Sequence, residues 1–344
     1  MKRLGWADSI KATGIFLVII GHSRVVPNEV KNWIYSYHMP LFFFISGYFF
    51  DISKNIEWKK FIKNKSRSLL RPYLVISLCM CICINLMKII IKKSISAKLI
   101  INQIIGIFIQ IPGTEFKSSY WFFTCLFFCE VIYLFIVKIS KKSLIKIGIY
   151  SLLFSIIGYV ISIVIGNGIP WHLDVALMMQ LIFFLGTVVN KINIVEKLTC
   201  IKGLVIAMFF MVANIILYSI NLNISNVRVD LNRSQIGNFI IFYLAASMGV
   251  ISIVLAFYKL STPKIFKFVG ENSGLYYMLD GIGISFVNLI SGVIGININT
   301  WIGLLLQLIG AWIITIPIVI VLNNYFGVFI GKKTYFINNN ERMI

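Results

Sequence analysis

The sequence predicts an all-α polytopic membrane protein: a bundle of about ten transmembrane helices, with N- and C-termini in the cytoplasm. Three observations carry this. Hydrophobic residues make up 59% of the 344 and charged residues only 13%, with a mean hydropathy of +0.89, more apolar surface than a soluble domain can hide. Apolar runs able to cross a hydrocarbon core of ~30 Å recur along the chain, and no polar interval is long enough for a soluble domain, so residues 1–344 read as one membrane domain. Of the 32 lysines and arginines, 22 fall in segments that a cytoplasmic N-terminus places inside, as the positive-inside rule requires. The runs are continuous rather than alternating, which selects helices over a barrel.

The first run, near 9–23, lies in "DSIKATGIFLVIIGHS", with Asp8 at its entrance, Lys11 inside it and His22 where it stops. Lys2 and Arg3 followed by apolar residues resemble a secretory signal, but Lys11 within the run, Asp8 before it, and His22 and Arg24 around the cleavage zone argue against cleavage. On a helix, Lys11 and His22 lie within about 20° of one stripe and about 16 Å apart, with Asp8 about 60° from Lys11. Lys11 and His22 cannot touch the same reacting atom. They suit an elongated ligand held by its charged end at Lys11 and reactive at His22, and coenzyme A has that form. The blander reading makes Lys11 a snorkelling residue and Asp8 a helix cap or its i,i+3 partner. His22 fits a bland reading less well, because ionisable groups in membrane segments are costly.

The second run, near 37–50, opens on His38, with Pro40 in an early turn and Ser46-Gly47 permitting close helix packing. Both first runs are short, which suits little tilt or a position deep in the bundle. Before the third run, near 72–91, "DISKNIEWKKFIKNKSRSLLRPY" sets Arg67 and Arg71 at i,i+4 on a helix expected to end at Pro72. Such a pair suits phosphate, or it is topological charge. Between this run and the next, Leu99–Ile111 reads as a re-entrant or interfacial helix.

The fourth run, near 120–137, has Glu130 as its only acid. Buried there, it must find a Lys or Arg partner, protonate, or serve a substrate cavity. The fifth and sixth, near 147–165 and 175–190, flank the loop "GNGIPWHLD", where His172 reads as an interfacial residue beside Trp171. The seventh and eighth lie near 203–220 and 238–257. The ninth, near 274–294, has Glu271 and Asn272 at its entrance, where capping explains them, and Asp280 deeper, where it does not. The tenth lies near 300–322.

The formal charge of +20 is mostly a topology signal with some attraction to anionic lipid headgroups, not a nucleic-acid footprint. The six cysteines lie in or beside apolar runs without CxxC pairs, so packing is expected rather than disulfides or a metal site.

Taken together, "RLGWADSIKATGIFLVIIGHS" and "WIYSYHMPLFFFISGYFF" resemble the start of the acyltransferase 3 family of membrane O-acyltransferases, particularly its fucose 4-O-acetylase-like group. Lys11-x10-His22 is similar to that family's basic-residue-x10-His signature, and Arg67-x3-Arg71 to its paired arginines. Weaker likeness continues in "YWFFTCLFFCE", "LDVALMMQLIFFLGTVV" and "IFKFVGENSGLYYM". The resemblance implies transfer of an acyl group, usually acetyl from acetyl-CoA, to a hydroxyl of a bacterial surface polysaccharide or its lipid-linked precursor. It implies no permanently bound cofactor, and a multi-pass protein in the bacterial cytoplasmic membrane. His22 would be the catalytic histidine, Lys11 its basic partner, and Arg67 with Arg71 the pair near the coenzyme A entrance. Where many relatives place a histidine after the "NS" of the ninth helix, this chain has Asp280.

Imidazole is suited to take the acceptor's proton near neutral pH, with His38 orienting His22 or polarising the acceptor. An acyl-histidine is the other route. Asp8 belongs to this catalytic set only if the first helix bends; otherwise it serves Lys11. Ser46 or a nearby backbone amide would steady the oxyanion, and Glu130, Trp121 and Asp280 would join Ser46 in the substrate cavity. A glycan polymerase, a lipid-linked sugar flippase and a secondary transporter are the competing functions. No large outer loop supports the first, and no pair of related halves with broken helices supports the last.

Overall fold

The computed structural model describes residues 4–23, 25–92, 96–112, 114–115, 120–166, 168–193, 199–298 and 300–332. Of the topological charges, Lys2, Arg3, Arg24, Lys93, Lys117, Lys197, Lys333 and Arg342 lie outside the described residues. Among the described residues there is no strand, only one isolated antiparallel bridge between Asp230 and Gln235.

The chain opens with α1 (Gly5–His22), α2 (Asn28–Tyr35) and α3 (His38–Tyr48). Next, α4 (Trp58–Lys65) passes through a wide turn at Ser66–Leu70 directly into α5 (Arg71–Lys92), followed by the short apolar α6 (Ala97–Ile109). The helix expected to end at Pro72 does not end there. Proline lacks an N–H and its ring crowds the carbonyl four residues back. The preceding turn widens to a π geometry in which the Arg71 N–H reaches Ser66, and the helix runs on from Trp58 to Ile90 as one span.

The middle of the chain forms α7 (Trp121–Ile139), α8 (Leu144–Ile165), α9 (Leu173–Met178) and α10 (Gln180–Ile192). The segment through α9 meets α10 at a 50° bend. The last third forms α11 (Cys200–Ser225), α12 (Phe239–Phe257), α13 (Lys264–Glu271), α14 (Ser273–Ile294) and α15 (Trp301–Tyr325). Side chains of Thr199, Asn238 and Thr300 each accept an orphan first-turn N–H, those of Lys202, Ile241 and Gly303 in α11, α12 and α15, which sets where these helices start.

Among the described residues, seven helices are long and apolar enough to cross a membrane, or eight if the bent pair counts as one span. The remaining two of the ten expected spans, α1 and α3, are helices but do not meet that test. α1 spends part of its 18 residues on Asp8, Lys11 and His22, and α3 has only 11 residues. They lie at the centre: α3 buries Phe42, Phe43 and Phe44, and α1 buries Ile10, Ile15, Val18 and Ile19. Around them, α8, α11 and α15 present exposed Ile, Leu, Val and Phe outward, the surface a lipid-facing helix needs.

Lipid tails are as apolar as these side chains, so helices associate in a bilayer through close packing and hydrogen bonds. Small residues supply that packing. At the α3–α10 crossing, a methyl group added to Gly47 would collide with the Phe183 carbonyl, and one added to Gly186 with the Phe44 carbonyl. Thr187 then donates to the Gly47 carbonyl (3.1 Å) and accepts from the Tyr133 hydroxyl (2.9 Å). Likewise Gly270 lets α13 cross α1 against the backbone of Asp8.

Candidate active site

His22 is the last residue of α1, and its Nδ1 lies 3.2 Å from Oδ2 of Asp280 on α14. The other carboxylate oxygen accepts the Gly281 N–H at 2.6 Å. A carboxylate only accepts, so the shared hydrogen belongs on Nδ1, and Nε2 of the neutral ring keeps its lone pair. The His22 side chain is 54% exposed and Asp280 12%. Asp280 lines a cleft of about 860 Å³ with Tyr120, Met278, Gly281, Asn102 and Gln103, between α5, α6 and α14. Burial, and then the Asp280 carboxylate, push the Tyr120 hydroxyl up to about 12, so it faces the cleft as a neutral phenol.

The opposite end of α1 carries the second polar group. Lys11 Nζ is 3.8 Å from Asp8 Oδ1 and 5.7 Å from the centre of the Phe49 ring. Lys11 and Ser46 line a cavity of about 200 Å³ with Phe122 and Tyr277. An adjoining cavity of about 210 Å³ is lined by Pro72, Asn272 and Lys332. The two share Ser68, Phe123 and Gly274 as wall residues, and Met278 lines both the second and the large cleft. Gly274, Tyr277, Met278 and Gly281 recur at helical spacing, so one face of α14 runs past all three spaces.

The model of the acyltransferase 3 family, described as an acyltransferase domain, matches residues 4–323. The chain belongs to this family. It is a multi-pass membrane acyltransferase. No curated protein and no solved structure matches the chain.

In this acyltransferase the two carboxylates of interest take opposite ends of α1. Asp8 sits three residues from Lys11 and, by helical rise, about 21 Å from His22, while Asp280 stands beside His22. The Nδ1–H of His38, at the start of α3, donates to the Ile34 carbonyl at 2.9 Å. The His38 ring packs 4.9 Å from Tyr35, a residue that the sequence did not single out. Tyr35 also lies against Gly21 of α1 and carries Arg228 4.4 Å from its ring centre, wedging the start of α3 against the end of α1. That contact depends on a loop some 190 residues away in sequence, so no local pattern announces it.

Arg67 reaches Asn64 (3.5 Å), and Arg71 donates from Nη1 to the Val328 carbonyl at 3.2 Å. Glu130 does find the cationic partner it needs. Lys65 Nζ lies 2.7 Å from Glu130 Oε1, with Glu130 buried, and none of the three spaces is lined by this acid. The pair ties α4 to α7. Trp121 is buried against the His172 ring at 5.0 Å, and its neighbour Tyr120 faces the cleft instead. His172 itself is a correction to the sequence reading. It is buried rather than interfacial, because the 228–236 loop folds over it and its Nε2 donates to the Asn232 carbonyl at 3.1 Å.

Proposed function

We propose that this acyltransferase moves an acetyl group from acetyl-CoA to a hydroxyl of a bacterial cell-surface polysaccharide or its lipid-linked precursor, working in the cytoplasmic membrane. The observation that carries the reading is the contact of His22 with Asp280, a residue that lines the large cleft. An acceptor hydroxyl in the cleft attacks the thioester carbonyl, the new C–O bond forms, and the C–S bond breaks. Nε2 of His22 takes the hydroxyl proton and returns it to the departing coenzyme A thiolate. Asp280 holds Nδ1–H, fixes the tautomer and offsets the charge of the imidazolium.

The other cavities suit the donor. Arg67 and Arg71 bind its phosphates, Lys11 steadies the chain further in, and Asp8 positions Lys11. The ~16 Å rise between Lys11 and His22 leaves room for a pantetheine arm. Ser46, beside Lys11, contacts that arm, while Tyr120 and His38 help to form the acceptor side. Acetyl esters on surface glycans, read by proton NMR, test the reading. They are expected with the gene and absent both without it and with His22→Ala, when that variant is inserted at normal levels. Normal esterification by His22→Ala refutes the mechanism.

A further inference from the structure

We infer that the C-terminal segment Phe326–Lys332 completes the donor site, delivering Lys332 as a third cation for the nucleotide phosphates of coenzyme A; this rests on the donor reading above. The segment begins after α15, beyond the residues 4–323 that the family model covers.

It is fastened to the arginine turn at two points, with a buried side chain between them. The Val328 carbonyl accepts from the Arg71 guanidinium (3.2 Å). Ile330 is buried, with 6% of its surface exposed. Gly331 adopts φ +79°, and an added Cβ would collide with the Arg67 carbonyl. A side chain is excluded at Gly331 on both counts. Held in this way, Lys332 Nζ reaches Asn272 Oδ1 at 2.9 Å, an oxygen that also accepts from Asn323.

Lys332, Gly331, Ser68 and Pro72 line the same small cavity, which adjoins the one holding Lys11. Lys332 and one carboxylate, Glu271, line this cavity, while Arg67 and Arg71 immediately precede its wall residues Ser68 and Pro72 in the chain, so three cations stand at or next to it. Coenzyme A carries a diphosphate and a ribose phosphate at the end remote from its thioester, more charge than two arginines match. A phosphate oxygen would give the Lys332 ammonium a stronger charge-assisted bond than the Asn272 amide oxygen does. One of the five N–H donors of Arg71 holds the segment in place while the rest of the fork can address phosphate.

The test compares acetyl-CoA with S-acetylpantetheine, which has the same thioester and arm but no phosphate, using the full-length protein in membrane vesicles. Lys332→Ala is expected to raise KM for acetyl-CoA about tenfold with little change in kcat, and to leave KM for S-acetylpantetheine unchanged. Lys332→Arg should restore the wild-type value. Gly331→Val, which keeps every charge but unseats the segment, should give the same donor-selective rise. Unchanged KM for acetyl-CoA in both Lys332→Ala and Gly331→Val overturns the inference. So does an equal loss with both donors, which marks a merely structural role, or a lower KM, which marks an obstructing segment. A wild-type protein that does not use acetyl-CoA refutes the donor reading and the inference with it. A wild type that does, with indifferent variants, refutes the inference alone.

Discussion

Replacing Asp280 by Asn keeps an acceptor of similar size at Nδ1 of His22 and removes only its charge. At 3.2 Å, an imidazolium–carboxylate pair has a Coulomb energy of roughly 5 kcal/mol at an effective dielectric of ~20. The His22 side chain is 54% exposed, so water returns much of this, leaving ~1.5–3 kcal/mol for a hydrogen bond to a charged group. The ring carries its charge only after taking the acceptor's proton, so the loss falls on the transition state rather than on substrate binding. At ~1.36 kcal/mol per factor of ten, kcat drops about 10- to 150-fold, with KM for acetyl-CoA unchanged because the cationic groups lie elsewhere on the path. Asp280→Ala drops further, since Nδ1–H loses its acceptor and the ring is free to take the wrong tautomer. Initial rates of labelled acetyl transfer into extracted membrane glycan, normalised to inserted protein, measure this. An Asp280→Asn rate within twofold of wild type, or a loss confined to KM, refutes the pairing as part of the mechanism.

Two further substitutions test the scaffold. Gly47→Ala drives a methyl group into the Phe183 carbonyl, so α3 and α10 must separate; a loss of 1–3 kcal/mol or more is expected, seen as a lower melting temperature in detergent, while Ala at the unobstructed Gly292 should leave it unchanged. Lys65→Met strands the buried Glu130 carboxylate, and roughly 1–3 kcal/mol should be lost, below the usual cost of breaking a buried pair because Lys65 is 32% exposed. Adding Glu130→Leu to Lys65→Met should recover most of that loss, and no recovery would mean that the two side chains do not act as a pair.

The membrane class and the positions of the helices were legible because lipid demands continuous apolar runs, a pattern that composition and length expose directly. The spacing from Lys11 to His22 was legible for a similar reason: both lie on one helix, where a sequence offset becomes an angle and a rise. Partners across the bundle were not. Asp280 stood out as a carboxylate deep in a span, but nothing in the sequence near it says that it meets His22, 258 residues away. Glu130 signalled that it needed a cation, without saying that Lys65 rather than a substrate would supply it. The Pro72 error has a definite cause. The rule that helices stop at proline assumes an α-helical turn before it, and the chain instead inserts one wider turn and continues.

The two expected spans that fall short of the membrane test, α1 and α3, hold Lys11, His22, His38 and Ser46 of the proposed site, and one constraint accounts for both facts. A charged residue at the centre of a lipid-facing helix costs at least ~2.5–3.5 kcal/mol, so a helix holding Asp8, Lys11 and His22 is tolerable only where it touches protein and polar cavities. α1 and α3 meet that condition because α10, α12, α13 and α14 pack around them. Released from facing lipid, α3 can stop after 11 residues and α1 can afford its polar stripe. Low hydropathy at α1 is thus a consequence of its central position. It follows that adding apolar residues to α1 should not improve the protein: Lys11→Leu raises the hydropathy of the helix, yet it leaves Asp8, whose side chain is 3% exposed, beside a new apolar neighbour in place of an ammonium group.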